Sequence, residues 1–383
     1  MAASDGSSGI FTQDSEALLV YDGRTGELFG LWLKTALLSL ITLGFYRFWG
    51  RTRIRKYLWS RVSLNGDRFE YDGTGGELFR RFLVALVVLV PLLALPGVME
   101  LLGGSFILTA ILHYAVLLLF LFLIQVGRYG GRRYRLTRTL WRGIRGGLDG
   151  SSVTYALINF KYFLLIPLTL GLAVPWQLVS LWRYEMNNTG LGDRQFSYEG
   201  SGRHLLKPWL VVYACAIASL VAICIIAVLA TMMALSGGQS SGIEALDNLG
   251  RGLSEDRAAL SAFAAAIVIL WLLVMVAMGF SGLYFRMRTM RYLAGGTALG
   301  EVRFVANIRF WRLFRLYFGN ALVMLLTLGM GSAFLAHREL RFVCRNVMVV
   351  GRAALDVLTQ QPGRRQKEGG EGLLQLLDTT GFA

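Results

Sequence analysis

Tyr21-Asp22-Gly23-Arg24-Thr25-Gly26-Glu27-Leu28-Phe29 returns as Tyr71-Asp72-Gly73-Thr74-Gly75-Gly76-Glu77-Leu78-Phe79, and more loosely as Tyr198-Glu199-Gly200-Ser201-Gly202-Arg203-His204-Leu205-Leu206. A degenerate copy ends in Leu313-Phe314, with Asn307 at the acidic position. Each copy precedes an apolar segment. A second motif, Thr-Leu-Gly, stands at 42–44, 169–171 and 327–329, and Thr42 is as far from Phe69 as Thr169 is from Phe196. Repeats this regular argue for a fold built by duplication.

The local chemistry gives these motifs structural roles ahead of catalytic ones. Val62-Ser63-Leu64 and Arg68-Phe69-Glu70-Tyr71 flank Asn65-Gly66, the pair that favours a two-residue hairpin turn, so a short β-hairpin is predicted before the second glycine motif. Gly23, Gly73 and Gly200 are read as turn glycines free to take positive φ. Glu27 and Glu77 fall in the first turn of the helices that follow, where a carboxylate complements orphan amides and the helix dipole. The Thr-Leu-Gly sites are predicted to break helices, with Pro167 and Pro175 bracketing Gly171.

Outward from the motifs, the chain is 383 residues long, 55% hydrophobic and 16% charged, with 39 Lys plus Arg against 24 Asp plus Glu. Seven segments have the apolar content of membrane helices: 28–48, 82–102, 105–126, 154–182, 209–235, 259–285 and 313–336. Arginine-rich runs follow the first, third, sixth and seventh, and by the positive-inside rule all four lie in the cytoplasm. Seven plain crossings cannot satisfy that assignment. Parity is repaired if 28–48, 154–182 and 313–336, the three segments that carry Thr-Leu-Gly, enter and leave on the cytoplasmic side.

The expected fold is therefore mainly α: a polytopic membrane protein with internal repeats, four spanning helices, three re-entrant or broken segments and short cytoplasmic β-hairpins. Its organisation is expected to be a disordered N-terminus over 1–15, a repeat-built membrane domain over 16–350 and a flexible cytoplasmic tail over 351–383, with both termini cytoplasmic. Residues 45–62 form a basic aromatic helix in which Arg47, Arg51 and Arg55 recur every four residues. Such a helix belongs in the headgroup layer, and membrane segments on both sides argue against nucleic acid as its partner.

The glycine motifs, the Thr-Leu-Gly breaks and Arg138-Thr139-Leu140-Trp141-Arg142-Gly143-Ile144-Arg145 followed by Asp149-Gly150-Ser151 resemble the YjgN-like family of bacterial inner-membrane proteins. The resemblance covers roughly 16–350. It implies a multi-pass protein of the bacterial cytoplasmic membrane, of uncharacterised function and without established catalytic residues, and suggests a membrane peptidase as a partner by association. Arg145 is followed by Gly146-Gly147 where that family pattern leads one to expect an aromatic residue.

No metallopeptidase, nucleophile-elbow, phosphate-loop or dinucleotide motif is present, so no catalytic residue, metal or cofactor is assigned and the chain is not read as an enzyme. Lys34 and Lys161 occupy the same repeat position, eight residues before a threonine. They either snorkel to the interface or face a polar cavity with Asn159 and Asn320. His113, inside the third segment, is either a packing histidine or a further ligand. Arg47, Arg51, Arg55, Arg138, Arg142 and Arg145 are the candidate headgroup-binding residues. Two functions follow: a transporter or lipid- or solute-handling protein with a cavity at the breaks, or a non-catalytic scaffold that holds anionic phospholipid or a membrane protein on its arginine-rich face.

Overall fold

A computed structural model describes residues 16–17, 19–236, 252–327, 331–351 and 358. The predicted N-terminal segment, the predicted tail apart from Gly351 and Leu358, and residues 237–251 lie outside them, as does the Leu-Gly of the third Thr-Leu-Gly motif. Among the described residues the chain divides into two compact units, Met1–Gly202 with Met290–Ala383, and Arg203–Thr289.

Ten helices and eleven strands alternate along the described chain. In chain order they are β1 (Glu16–Ala17), β2 (Leu19–Tyr21), α1 (Thr25–Ile41), α2 (Arg47–Ser60), β3 (Val62–Leu64), β4 (Asp67–Tyr71), α3 (Gly75–Leu101) and α4 (Phe106–Thr137). Next come β5 (Thr139–Trp141), β6 (Ile144–Leu148), α5 (Ser152–Leu168), α6 (Val174–Asn187), β7 (Thr189–Leu191), β8 (Arg194–Tyr198) and α7 (Arg203–Ser236). The last are α8 (Gly252–Gly295), β9 (Thr297–Leu299), β10 (Val302–Ala306), α9 (Phe310–Leu326), α10 (Ser332–Asn346) and β11 (Val347–Val350).

The strands make one antiparallel sheet that runs β1-β11-β10-β9-β8-β7-β6-β5-β4-β3-β2. Its two end strands, β1 and β2, are one residue apart in sequence, so the sheet comes round to form a near-barrel. The predicted hairpins are thus not isolated; they join in a ring.

That ring exposes a five-fold βααβ repeat where the sequence motifs alone indicate four copies. Within each repeat the two strands pair beneath their own helices: Tyr21 opposite Val62, Tyr71 opposite Thr139, Leu148 opposite Thr189, Tyr198 opposite Thr297 and Ala306 opposite Val347. Successive repeats are joined by two-residue hairpins at 65–66, 142–143, 192–193 and 300–301. Asn65 and Gly66 both have positive φ, 55° and 90°, as the Asn-Gly pair predicts for a type I′ turn. The fifth junction, from the last repeat to the first, is the pairing of β1 with β11.

The inward strand positions fill the ring. Leu64, Trp141, Leu299, Val302 and Val349 are buried together, with Phe69, Phe196 and Phe304 packed against them. Here the ring is a packed core and not a pore.

Glycine in the Tyr-x-Gly motif answers a steric demand. A methyl group on Gly23 would come within 2.2 Å of the Tyr21 hydroxyl, one on Gly73 within 2.5 Å of the Tyr71 ring and one on Gly200 within 2.3 Å of the Tyr198 hydroxyl. The expectation of positive φ at these three positions is wrong: none is among the positive-φ glycines. In these three repeats the tyrosine folds over the glycine two residues on, and that close approach is what excludes a side chain.

The second and fourth repeats supply four helical stretches long and apolar enough to cross a membrane: Gly75–Leu101, Phe106–Thr137, Arg203–Val228 and Ile267–Gly295. The first, third and fifth turn back early. At 42–44 and 169–171 the turns match: Leu43 and Leu170 both sit at φ 50°, Gly44 and Gly171 both at 90°. Threonine makes the break by hydrogen bonding in two directions. The Thr42 hydroxyl donates to the Leu38 carbonyl at 2.7 Å and accepts from the Tyr46 amide at 3.0 Å; Thr169 does the same with Leu165 at 2.9 Å and Ala173 at 3.2 Å. One hydroxyl thus bonds a carbonyl of the last turn of the first helix, which also accepts the threonine's own amide, and an orphan amide at the start of the second.

Candidate functional site

A dipeptide outside the glycine and Thr-Leu-Gly motifs organises the junctions between repeats. Counting back from the strand that closes each repeat, the sixth residue is Lys56, Arg133, Arg183, Arg291 or Arg341, and the fifth is Tyr57, Tyr134, Tyr184, Tyr292 or Phe342. The tyrosine points back into its own repeat. Tyr57 accepts from the Arg24 amide at 2.9 Å and donates to the Arg24 carbonyl at 3.0 Å, and Tyr184 treats Ser151 in the same way at 2.8 and 2.9 Å. Tyr292 accepts from the Ser201 amide at 2.7 Å, and Tyr134 donates to the Glu77 carboxylate at 2.8 Å.

The arginine points forward into the next repeat. Arg133 donates to the Gly150 carbonyl, Arg183 to that of Gly200, Arg291 to that of Ile308 at 2.6 Å, and Arg341 to that of Gly23 at 3.0 Å. Arg341 closes the cycle from the last repeat to the first. A five-fold basic-aromatic pair at fixed distance from a strand was the sequence signal for it.

The closing junction carries additional groups. His337 is buried; its Nδ1 shares a 2.6 Å hydrogen bond with the Tyr21 hydroxyl, and its Nε2 lies 3.4 Å from the Thr25 hydroxyl. Burial, with Arg341 and Arg338 close by, holds this imidazole below its ordinary pKa and therefore neutral. Burial likewise raises the Tyr21 phenol above its usual range.

The candidate cavity residues do not converge. Lys34 and Lys161 lie on exposed faces of α1 and α5, with the Lys161 ammonium over the Tyr162 ring. Asn159 accepts from the Gln177 side chain at 2.9 Å, and beside that pair Tyr162 and Ser180 are 2.8 Å apart, so α5 and α6 hold each other by polar contacts. Asn320, buried in α9, accepts from Arg338 at 2.9 Å. His113 is exposed, near the start of α4, with Nδ1 2.9 Å from the Thr109 carbonyl. Among the described residues no group of three His, Cys, Asp or Glu side chains has metal-binding geometry.

The candidate headgroup arginines separate into two sets. Arg138 pairs with Glu77 at 2.8 Å and approaches Asp72 at 3.9 Å; Arg145 pairs with Asp72 at 3.2 Å and donates to the Thr137 carbonyl at 3.1 Å. Arg142 pairs with Asp67 and stacks over Trp141 at 4.6 Å. In the structure these three tie strands to helices, because β4 and the start of α3 bring carboxylates to them. Glu77, capped through its amide by Thr74 at 3.3 Å, and Glu27, paired with Arg61 at 2.7 Å, are the matching anchors.

Arg47, Arg51 and Arg55 have no acidic partner among the described residues. Arg47 lies over the rings of Phe48 and Phe82, and the pKa of Arg51 is lowered by burial first and then by Arg47 and Arg55 on either side.

Comparison with known proteins gives the chain a family. A family model described as bacterial protein of unknown function, DUF898, matches residues 17–376. The chain belongs to that family. An inner membrane protein YjgN of Salmonella typhimurium is 36% identical over 77 residues, 20% of each chain. The protein of that name from Escherichia coli is 29% identical over 153 residues, 40% of this chain and 36% of its own. The matched region thus spans about a third or less of the length of these relatives. No solved structure matches. The names of the relatives and the four long apolar helices together identify a membrane protein, as the motif resemblance implies.

Proposed function

We propose that this protein is a non-catalytic membrane scaffold: a packed cytoplasmic ring anchored by two membrane-crossing helical hairpins and three re-entrant broken pairs, which gathers anionic phospholipid through α2. The observation that carries this reading is the placement of Lys34 and Lys161. Both are exposed, as snorkelling to a headgroup layer requires, whereas a transport cavity at the breaks calls for both to point inward.

The re-entrant assignment draws on chain connectivity. Every helical excursion starts from one strand of the ring and ends on its neighbour, and α5 and α6, of 17 and 14 residues, rise only about 25 and 21 Å. Their turn ends in Leu168 and Leu170, 81% and 74% exposed, an apolar tip suited to hydrocarbon and not to water. The unpaired Arg47 and Arg51 on α2 supply the cationic surface for lipid phosphates. Both chain termini then lie on the cytoplasmic side with the ring.

Native mass spectrometry of the detergent-purified full chain tests this. Retained phosphatidylglycerol or cardiolipin, lost in Arg47→Gln/Arg51→Gln, supports the scaffold. A bound non-lipid solute that is lost in Lys34→Gln/Lys161→Gln overturns it in favour of transport.

A further inference from the structure

The five junctions have a second pair of equivalent positions, and one of them is electrostatically incomplete. These positions are the seventh residue back from the closing strand of one repeat and the fourth residue back in the next. Around the ring these pairs are Arg55 with Arg135, Arg132 with Glu185, Trp182 with Leu293, Met290 with Val343 and Leu340 with Leu58. Three pairs are apolar. In the second junction the guanidinium of Arg132 and the carboxylate of Glu185 form a direct ion pair, which shows that side chains at these positions reach one another. The first junction places two arginines where the second has an arginine and a glutamate.

Local geometry fixes the approach of Arg55 to Arg135. Trp59, one turn after Arg55 on α2, donates from its indole to the Thr139 hydroxyl at 3.0 Å. Thr139 in turn donates to the backbone carbonyl of Arg135 at 2.8 Å, one turn back on α4. The two helices are therefore pinned at one level, and Arg55 and Arg135 each stand one turn before that tie on their own helix. Among charged groups, Arg55 acts most strongly on Arg135, and Glu185, which also faces it, is held by Arg132. Both side chains are half-buried, and neither has an acidic partner among the described residues. The nearby Tyr71 hydroxyl is buried without a hydrogen-bond partner. The Tyr198 hydroxyl is equally unpartnered at the third junction, where the equivalent pair is apolar, so the two guanidiniums carry the argument.

Two half-buried like charges are costly unless a counter-ion joins them. We propose that the junction between the first and second repeats is an oxyanion-binding site, in which Arg55 and Arg135 share one phosphate group. Guanidinium forks present paired N–H donors to phosphate oxygens, and a phosphate between them completes the junction as Glu185 completes the next. The phosphate comes either from free inorganic phosphate or from the diester of an anionic phospholipid. This site is distinct from the exposed α2 face and does not rest on the scaffold reading.

Thermal unfolding of the full chain in detergent, at constant ionic strength, tests it with inorganic phosphate against chloride. The same comparison is repeated in nanodiscs of phosphatidylglycerol against phosphatidylcholine. The expected result is a higher unfolding temperature with phosphate or with phosphatidylglycerol, and the arm that responds identifies the source. Arg135→Glu, which rebuilds the arrangement of the second junction, should abolish that response and weaken phosphate binding by at least about tenfold. Arg303→Gln, at an exposed position of β10 in the fifth repeat, should retain it. If Arg135→Glu does not fold, Arg55→Trp/Arg135→Leu copies the third junction and serves as the second variant. The proposal is overturned if neither probe shifts unfolding of the unaltered protein, or if the variants respond as it does.

Discussion

The second and third repeats begin and end alike and differ only in between. Each starts on a strand with an acidic residue and a glycine after it, ends five residues beyond a tyrosine, and sends an arginine to its neighbour's turn. Yet α3 and α4 run for 27 and 32 residues before and after Gly103-Gly104, whereas α5 and α6 run for 17 and 14 around Thr-Leu-Gly. The ring is thus indifferent to how far its helices reach. Depth is set by the turn: a glycine pair with Ser105 as N-cap at the end of a long hairpin, or a threonine that stops one helix and starts another midway. Because five repeats alternate and five is odd, two short repeats must meet, and they meet at the closing junction, where Phe29 and Trp32 pack on Phe334.

The contrast in depth has an all-or-none consequence. In a variant without the native cysteines, Ser105→Cys should label with an impermeant thiol reagent only from the periplasmic side. Leu170→Cys should stay unlabelled from that side, and Ser63→Cys should label only from the cytoplasm. Periplasmic labelling at 170 would make the third repeat a crossing and erase the distinction between the two kinds of repeat.

The shared part of the two repeats should be equally fragile in both. Gly73→Val and Gly200→Val drive a side chain into Tyr71 and Tyr198, and each is expected to lose about 3 kcal/mol through overpacking in the ring. Denaturant unfolding in detergent measures the loss. Pairing Gly73→Val with Tyr71→Ala should recover part of it if the tyrosine is the obstacle.

A smaller effect tests the break itself. Thr169→Val keeps the shape and removes both hydrogen bonds of the hydroxyl, for an expected loss of about 1–2 kcal/mol. Thr109→Val in α4 removes only a hydroxyl that bonds the Ser105 carbonyl within its own helix, and should change stability by less than about 1 kcal/mol. Equal effects would mean that the threonine does not hold the third repeat's turn.

What the sequence revealed follows the same division. The broken segments were legible because Thr-Leu-Gly is a local device, complete within eight or nine residues, and positive-inside parity then marked the same three segments. The Asn65-Gly66 hairpin was legible for the same reason. The ring was not, because strands of two to five residues carry too little alternation to announce partners that lie on other repeats. The third repeat was hidden because Leu148 replaces the tyrosine before Asp149-Gly150, and the fifth is degenerate because Ala306-Asn307-Ile308 keeps none of it. The ion pairs of the arginines were hidden where the partner was distant. Charge counting marks Arg138, Arg142 and Arg145 as free, but Asp67, Asp72 and Glu77 reach them only through strand pairing and helix return.

The smallest predicted effect belongs to the junction between the two short repeats, where pH should act on the closing contact. His337 is faced by Tyr21 and Thr25 from the first repeat and by Arg338 and Arg341 from its own helix. With its folded pKa below the ordinary 6.5, the unfolded chain binds the proton first as pH falls. Stability from this group is therefore complete above about pH 6.5 and declines as pH drops toward the lower folded value. His337→Gln should flatten that part of the pH profile while leaving the Thr169→Val effect unchanged, since the two sites lie in different repeats and share no partner. An unaltered slope in His337→Gln would move the acid sensitivity to another group and leave the closing junction no different from the four that a hairpin holds.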